Sequence, residues 1–252
     1  MPIDVHQFPC LNDNYGFLVR DRASGLTATV DTPDADAILE ELRKTGWSLA
    51  YVLNTHWHPD HAGGNAALQA TTGCQIVGPA EVRRIAPLDR EVVEGDVVEM
   101  GATRFTVIGT GGHTLGHIAY HDVADGVVFV GDTLFALGCG RLFEGDPAMM
   151  WTSLSKLAAL PDDTRVYCAH EYTASNARFA LSVDDDPALA ARAKAVFEAR
   201  ERGEATVPTT IGLEKATNPF LRAPVLAGRM GLAGAADHEV FGAVRAAKDG
   251  FR

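Results

Sequence analysis

Strand-like and helix-like patterns of hydrophobic positions alternate along the first 170 residues of the chain. Apolar residues that alternate with polar ones, or cluster in short blocks, predict strands. These strands are Ile3–Phe8, Tyr15–Arg20, Leu26–Asp31, Ala50–Asn54, Gln75–Gly78, Val97–Met100, Thr103–Gly109, His117–His121 and Val127–Val130. Apolar residues at three- and four-residue spacing predict helices. These helices are Pro33–Lys44, Asn65–Ala70 and Ala148–Leu160.

The pattern changes after residue 170. Strand signals vanish over residues 171–202, where Ala, Arg and Glu dominate. A helix is predicted to begin at Asp186-Pro187, a cap followed by proline in the first turn, and to end at Gly203. The chain closes with a predicted helix near His238–Lys248. We therefore predict two domains, a mixed α/β catalytic domain over residues 1–170 and a helical domain over residues 171–252.

Composition and charge narrow the class of protein. Hydrophobic residues make up 46% of the 252 residues, which excludes disorder as the main state. The net charge of −11 makes nucleic acid and anionic membranes unexpected partners. No apolar run approaches the ~20 residues that span a bilayer. The four cysteines form no CxxC pair and no secretion signal is evident, so we expect a cytoplasmic protein. As a separate expectation, we take it to be a monomer.

One segment carries the strongest chemical signal. Three histidines and an aspartate, namely His56, His58, Asp60 and His61, lie within six residues, directly after an apolar strand. Placed on a turn they can converge on one point, whereas a helix or a straight strand would splay them across faces. Imidazole plus carboxylate is a ligand set for Zn, Fe or Mn. A polar loop rich in histidine by chance is the alternative, and with only nine histidines in the chain it is implausible.

Three further residues each follow a predicted strand. They are His113, Asp132 and His170. Loops at strand ends are where α/β proteins place functional groups on a rigid scaffold. Each residue alone is a weak signal, since an aspartate after a strand is commonly a turn residue or a helix cap. Together with the first motif they complete a ligand set large enough for two metal ions that share one carboxylate.

The order HxHxDH, then a single His, a single Asp and a final His, resembles the metallo-β-lactamase superfamily. Within it, the chain resembles the hydroxyacylglutathione hydrolases (glyoxalase II) along essentially its whole length. The segments that carry this resemblance are Asn12–Tyr15, Thr55–Asn65, Gly112–His117, Gly131–Phe135, Gly138–Gly145, Ala169–Thr173, Asn218–Arg222 and Arg245–Asp249. The resemblance implies an α+β protein with an αββα sandwich and a C-terminal helical domain.

The resemblance also assigns the metal ligands. It places His56, His58 and His113 on one ion, and Asp60, His61 and His170 on a second. Asp132 would bridge the two ions, so that Asp60 and Asp132 act in catalysis as ligands that position a bridging hydroxide. Zinc is the expected metal, with iron and manganese as alternatives, because a nitrogen and oxygen ligand set accepts all three.

Residues that would bind glutathione follow from the same resemblance. They are Arg141, Phe143, Tyr172, Arg245 and Lys248. Some family members carry Tyr where this chain has Phe143, so a phenol hydrogen bond would be missing here. Without the resemblance, the three basic residues would be interpreted as solvated surface charges.

The remaining histidines and turns receive structural interpretations. We expect His117 to pack near the site without binding metal. Asn218-Pro219 is most simply a turn.

The implied activity is hydrolysis of S-D-lactoylglutathione to D-lactate and glutathione, the second step of methylglyoxal detoxification. Other hydrolases of the superfamily, such as a lactonase, a β-lactamase-like enzyme or another acyl-thioesterase, would share the metal ligands but not need the basic terminal helix. An RNA-processing nuclease is disfavoured by the negative charge. A glutathione persulfide dioxygenase would use iron and depend on O₂. A metal-binding protein without turnover would be expected to lack one or more ligands, and all seven positions are filled.

Overall fold

The computed structural model describes residues 3–251, which divide into two compact units. The first unit comprises the residues up to Gly109 and the segment Gly116–Gly131. The second comprises Thr110–Leu115 and the residues from Asp132 onward. The chain therefore passes between the units three times, and neither unit is a single continuous stretch. The predicted domain division at residue 170 stays a prediction.

The first unit combines strands with three short helices. Its strands are β1 (Ile3–Cys10), β2 (Asn14–Asp21), β3 (Thr27–Val30), β4 (Leu49–Leu53), β5 (Gln75–Gly78), β6 (Arg90–Glu91), β7 (Val97–Met100), β8 (Thr103–Gly109), β9 (Ile118–Asp122) and β10 (Val127–Gly131). Its helices are α1 (Ala35–Thr45), α2 (Pro59–Ala62) and α3 (Asn65–Thr72), with a 3₁₀ turn at Ala80–Arg84. The predicted bounds of β5, β7 and β8 are confirmed.

The strands β1 to β6 form one sheet in chain order. Strands β1, β2 and β3 are antiparallel, whereas β3 to β6 run parallel. Parallel neighbours need crossover connections, and α1 and α3 supply two of them. The carboxyl ends of β3 and β4 therefore lie at the same edge of the sheet. Strands β7 to β10 form an antiparallel meander within a second sheet.

Within the first unit the two sheets pack face to face. The ring of Phe17 in β2 lies 5.6 Å from that of Phe129 in β10. Tyr120 in β9 is fully buried and donates its hydroxyl to the carbonyl oxygen of Asn54, 2.9 Å away. The first sheet is covered on its other face by a separate cluster that includes Ile38 of α1 and Leu68. This arrangement fixes the edge that carries the first set of candidate ligands.

The residues that flank helix α1 determine where the helix begins and where it ends. Asp34 caps the helix, since its side chain accepts hydrogen bonds from the amides of Asp36 and Ala37. Gly46 follows the last turn in the left-handed conformation, with φ of 71°. The predicted stop residue is thus confirmed, but Pro33 lies before the cap and outside the helix.

The second unit is mainly helical. Its strands are β11 (Leu134–Phe135), β12 (Gly138–Cys139), β13 (Arg165–Cys168) and β14 (Thr209–Thr210). Its helices are α4 (Pro147–Ala158), α5 (Thr173–Val183), α6 (Pro187–Glu201), α7 (Ile211–Thr217), α8 (Ala223–Leu226) and α9 (Asp237–Asp249). Helices α4, α6 and α9 match predicted helices, whereas α5, α7 and the β11–β12 hairpin were not predicted from the sequence pattern.

Two apolar groupings hold these helices together. Small side chains at the contact of α5 and α6, including Ala177, Ala180 and Ala193, pack with Leu189 in one buried cluster. A row of aromatic rings links α5 to the C-terminal helix. Its members are Phe179, Phe220, Phe241 and Trp151, with neighbouring ring centroids 5.8–6.1 Å apart.

None of the helices in residues 3–251 is long and apolar enough to cross a membrane. The four cysteines are free and buried, as expected for small hydrophobic residues.

Candidate metal centre

The seven predicted metal ligands are divided between the two units. His56, His58, Asp60 and His61 belong to the first unit, and His113, Asp132 and His170 belong to the second. In each unit the ligands lie beside one another and most are buried.

In the first unit, His56 and His58 lie on the loop that follows β4. Nε2 of His56 and Nδ1 of His58 are 3.0 Å apart. Nδ1 of His56 lies 3.0 Å from the hydroxyl of Thr55, which itself donates to a carboxylate. The Thr55 oxygen therefore accepts from Nδ1, and the lone pair of His56 is on Nε2. The two imidazoles thus present nitrogen atoms to one point.

Helix α2 supplies the other two ligands of this set. His61 is buried, and its Nε2 lies 3.4 Å from a carboxylate oxygen of Asp60. The same oxygen of Asp60 accepts a hydrogen bond of 3.1 Å from the side chain of Asn14 in β2. Pro59 begins this short helix, so the chain turns sharply between the two pairs of ligands. A turn of this kind brings all four side chains to the same edge of the sheet.

A carboxylate that sequence reasoning missed orients this set. Asp31 follows β3 and is buried, and its Oδ2 accepts from Nδ1 of His61 at 2.8 Å. Both oxygens also accept from Thr55, one from the amide and one from the hydroxyl. Asp31 therefore fixes the tautomer of His61 so that Nε2 faces outward with its lone pair. A lone Asp after a strand has no sequence signal that distinguishes it from a turn residue.

Replacement of Asp31 by alanine is expected to weaken metal binding by about 10- to 100-fold, the usual cost of losing a partner that orients a ligand. The dissociation constant for zinc, measured by competition with a chromogenic chelator, tests this. Asp34→Ala, which removes a neighbouring carboxylate that caps α1, is the matched control. An Asp31→Ala protein that binds zinc as tightly as this control would contradict the assigned role.

In the second unit, Asp132 lies between two histidines. Its Oδ2 is 3.4 Å from Nε2 of His113, and its Oδ1 is 3.4 Å from Nε2 of His170. Each oxygen of one carboxylate thus faces a different imidazole, an arrangement that is compatible with a bridging ligand. The preceding Gly131 has φ of 47°, and a Cβ there would lie 2.5 Å from the Thr55 hydroxyl. Only glycine allows this turn into the aspartate.

The histidines of the second unit are also held in place. Nδ1 of His113 donates to the carbonyl oxygen of Arg141 at 2.9 Å, which leaves the lone pair on Nε2. The ring of His170 stacks on Tyr172, with centroids 4.7 Å apart and planes nearly parallel. Phe143 contacts the ring of His113 edge-on at 5.2 Å. Two residues predicted to bind substrate therefore lie directly against predicted metal ligands.

The donor set fits divalent metal ions. Bonds of about 2.0–2.1 Å in a tetrahedral site place neighbouring donor atoms roughly 3.3–3.4 Å apart. The three nitrogen–oxygen distances between ligands are each 3.4 Å, and the nitrogen–nitrogen distance is 3.0 Å. The donors are imidazole nitrogens and carboxylate oxygens, a set that binds Zn, Fe and Mn. The nitrogen–oxygen pairs are thus spaced as ligands are, whereas the two nitrogens of His56 and His58 lie closer together than ligands in such a site.

The predicted basic residues of the substrate site meet in the second unit. Arg245 is buried, and its Nη1 donates to the carbonyl oxygen of Cys139 at 2.9 Å while its Nη2 donates to Asp249 at 2.9 Å. The same Asp249 oxygen lies 3.8 Å from Nε of Arg141. Both terminal nitrogens of Arg245 are therefore engaged within the protein, whereas Arg141 is exposed.

Lys248 is the half-buried member of this basic group. Its Nζ lies 3.3 Å from the carbonyl and hydroxyl oxygens of Ser175 and above the rings of two phenylalanines. Burial lowers the pKa of Lys248 below its usual 10.5, and the positive charges of Arg245, Arg141 and Arg178 lower it further. Asp249 acts in the opposite direction. An amine beside three guanidinium groups is a favourable place for an anion.

His117 lies beside the predicted ligands of the first unit. Its buried ring stacks on His56 with centroids 4.7 Å apart, so it packs against a predicted ligand.

Comparison with known families identifies both parts of the chain. Residues 25–170 match the model of the metallo-beta-lactamase superfamily. Residues 171–251 match the model of the hydroxyacylglutathione hydrolase C-terminus.

Individual relatives agree with these matches. A hydroxyacylglutathione hydrolase of Maricaulis maris (strain MCS10) is 58% identical over 251 residues, which cover 98% of each chain. Among solved structures, ETHE1 from Myxococcus xanthus superposes with a TM-score of 0.70 at 26% identity, over 98% of this chain and 90% of that one. TTHA1623 in a di-iron-bound form gives a TM-score of 0.62 at 26% identity, over 86% of this chain and 100% of that one. The predicted metallo-β-lactamase fold, an α+β architecture with a helical C-terminal region, is confirmed.

Proposed function

Because this chain belongs to the hydroxyacylglutathione hydrolases of the metallo-β-lactamase superfamily, we propose that it hydrolyses S-D-lactoylglutathione, and related 2-hydroxyacylglutathione thioesters, to the hydroxy acid and glutathione. Such an enzyme performs the second step of methylglyoxal detoxification. The observation that carries the proposal is the arrangement around Asp132, where an imidazole nitrogen lies 3.4 Å from each carboxylate oxygen. One carboxylate shared in this way suits a pair of divalent ions, the centre that metal-dependent hydrolysis uses.

We assign two ions to the full ligand set. One ion would be held by His56, His58 and His113, and the other by Asp60, His61 and His170. Asp132 would bridge them. Zinc is our first choice of metal, and iron is an alternative because a protein of the same fold has a di-iron-bound form.

Individual residues of the chain have separate roles in the proposed reaction. When bound, two divalent ions would supply a hydroxide nucleophile at neutral pH and polarise the thioester carbonyl. Asp31 and the Arg141 carbonyl hold His61 and His113 in the tautomer that binds metal. We assign Asp60 and Asp132 as ligands, which leaves neither free to act as a general base. The departing thiol has an ordinary pKa of about 8.5, so it leaves as a thiolate and needs no strong general acid.

Glutathione binding must overcome the negative charge of the protein. The substrate is anionic and the chain carries a net charge of −11, so a local group of cations is required. We propose that Arg141 and Lys248 contact a substrate carboxylate directly. Arg245 would contribute its charge and anchor the loop that carries Cys139, because its terminal nitrogens are already engaged. Phe143 and Tyr172 would line the site beside the histidines they contact.

Hydrolysis of S-D-lactoylglutathione by the purified protein, followed as loss of thioester absorbance, tests the proposal. We expect rapid turnover that chelation abolishes and that added Zn²⁺ restores. No turnover by fully metallated protein would refute the substrate. Turnover of a lactone or a cephalosporin in its place would assign the chain to another hydrolase class, and O₂ consumption with glutathione persulfide would indicate a dioxygenase. We also propose that the enzyme is a cytoplasmic monomer.

Lys248→Ala is expected to raise KM by roughly 10- to 100-fold with a smaller effect on kcat, the loss expected for a charge-assisted hydrogen bond. In the wild-type enzyme KM should rise with pH, since the ammonium loses its proton as pH increases through its lowered pKa. Lys248→Arg keeps its charge at every accessible pH, so its KM should stay flat. Initial rates at several substrate concentrations between pH 7 and 10 measure both effects. A wild-type KM that is constant over this range would contradict the role of Lys248.

A further inference from the structure

A tight hairpin in the second unit lies between a predicted metal ligand and the residues that contact its basic group, which comprises Arg141, Arg245 and Lys248. Strands β11 and β12 pair through Leu134 with Cys139 and Phe135 with Gly138, which leaves a two-residue turn. Leu137 in that turn has φ of 59°, a conformation that a leucine rarely adopts. Every residue from 131 to 140 is buried. A buried turn must find hydrogen-bond partners for its backbone within the protein.

Three side chains from the C-terminal helices supply those partners. Asn176 in α5 donates to the carbonyl oxygen of Ala136 at 3.1 Å. Asn218, which ends α7, donates to the carbonyl oxygens of Phe135 and Gly138 at 3.1 and 2.9 Å. Glu214 in α7 accepts from the amide of Leu137 at 2.9 Å. We call Asn176, Glu214 and Asn218 the polar clamp.

The polar clamp is itself buried and internally bonded. Glu214 and Asn218 are completely buried, and Asn218 also donates to the Glu214 carboxylate at 2.9 Å. The other Glu214 oxygen accepts from the Arg192 guanidinium and from Thr209. The fit to the hairpin is close, since a Cβ on Gly138 would lie 2.4 Å from the Asn176 amide nitrogen. Asn218 thus does more than form the turn that Asn218-Pro219 suggests in sequence.

The hairpin holds groups of the proposed active site at both of its ends. Asp132 lies two positions before the first residue of the hairpin, Leu134. The ring of Phe135 contacts Tyr172 edge-on at 5.4 Å. At the other end of the hairpin the carbonyl of Cys139 accepts from Arg245, and two residues further on the carbonyl of Arg141 accepts from His113. A shift of this turn would therefore move a metal ligand, the partner of a second ligand and the anchor of a basic residue together.

We propose that Asn176, Glu214 and Asn218 are positioning residues, which fix the 134–139 hairpin and through it Asp132, His113 and Arg245. None of the three needs to touch substrate or metal. The inference rests on the proposed function and deepens it, since it links residues after position 170 to a metal site whose predicted ligands lie at and before it. It concerns only contacts within the second unit.

Asn218→Ala tests the clamp by three readouts. Amide hydrogen exchange of peptides covering residues 134–141 should accelerate, because the turn loses its two carbonyl bonds. Affinity for zinc, measured by chelator competition, and kcat for S-D-lactoylglutathione should each fall by about 10- to 100-fold, as for other partners that orient ligands. Asn176→Ala removes one bond from a different helix and should cause smaller changes in the same direction.

Val98→Ala, which opens a cavity beside β7, a strand of the first unit that carries no predicted ligand, is the control for general destabilisation. It should lower stability yet leave exchange over 134–141 and zinc affinity at wild-type values. The clamp is refuted if Asn218→Ala speeds exchange only in α7, or equally throughout the protein, and leaves zinc affinity unchanged. If the wild-type enzyme fails to turn over the thioester, the proposed function fails, but exchange and zinc affinity still decide whether the clamp exists.

Discussion

Replacement of Asp132 by alanine is expected to reduce kcat for S-D-lactoylglutathione by more than about 100-fold. Loss of a residue that only hydrogen-bonds to a metal ligand already lowers metal affinity or activity by about 10- to 100-fold, and Asp132 is itself a predicted ligand. The effect should be large since both carboxylate oxygens face imidazole nitrogens at 3.4 Å. Both ions would lose a ligand in one substitution. Metal content after dialysis, measured by mass spectrometry, should fall together with turnover.

The control for this substitution is Asp162→Asn. Asp162 lies in the same unit, is exposed and forms only a surface ion pair with Lys215 at 2.8 Å. Exposed ion pairs contribute little to the stability of a protein, so metal content and kcat should remain at wild-type values. An Asp132→Ala protein that retains two metals per chain and most of its activity would exclude a bridging role.

Arg192→Ala is expected to lower the free energy of unfolding by about 3–5 kcal/mol, the cost of leaving a buried charge without its partner. Glu214 is completely buried and the side chain of Arg192 is 9% exposed. Adding Glu214→Gln to Arg192→Ala should recover part of the loss, because it removes the uncompensated charge. In the wild-type background the same Glu214→Gln change should destabilise the protein. Urea unfolding of the four proteins measures this reversal of sign.

Lys194→Ala on the same helix serves as the control for the cycle. Lys194 is exposed and lies 3.9 Å from Glu198, so its removal should change the free energy of unfolding by less than about 1 kcal/mol. If Glu214→Gln is destabilising by the same amount in both backgrounds, the two residues are not coupled and the clamp does not depend on Arg192.

Features that depend on residues close together along the chain could be predicted from the sequence. The predicted ligands of the HxHxDH motif are close in sequence, and their spacing on a turn is enough to predict that they converge. Strands such as Val97–Met100 and Thr103–Gly109 were predicted with their observed bounds, since a short apolar or alternating run has few other interpretations. Helix α6 was recognisable from Asp186 and Pro187, because caps are encoded within a few residues.

Residues that act over long separations could not be predicted in this way. Asp31 contacts His61 thirty positions away, and Glu214 contacts Leu137 seventy-seven positions away. Neither residue has a local pattern that separates it from an ordinary turn or surface acid. Helix α5 was missed because its apolar residues, such as Ala177 and Ala180, are small and give a weak periodic signal. Contacts of this kind depend on tertiary packing, which a single sequence does not display.

The polar clamp also bears on how such a protein can be assembled from parts during evolution. A recombination event near residue 170 would keep Leu137 and Asp132 but exchange Asn176, Glu214 and Asn218 for whatever the new segment carries. The buried turn would then lose hydrogen-bond partners for four of its backbone groups. The stretches before and after this point should therefore be inherited together, and a chimera made from two distant relatives should recover function only when the hairpin and its clamp come from the same parent.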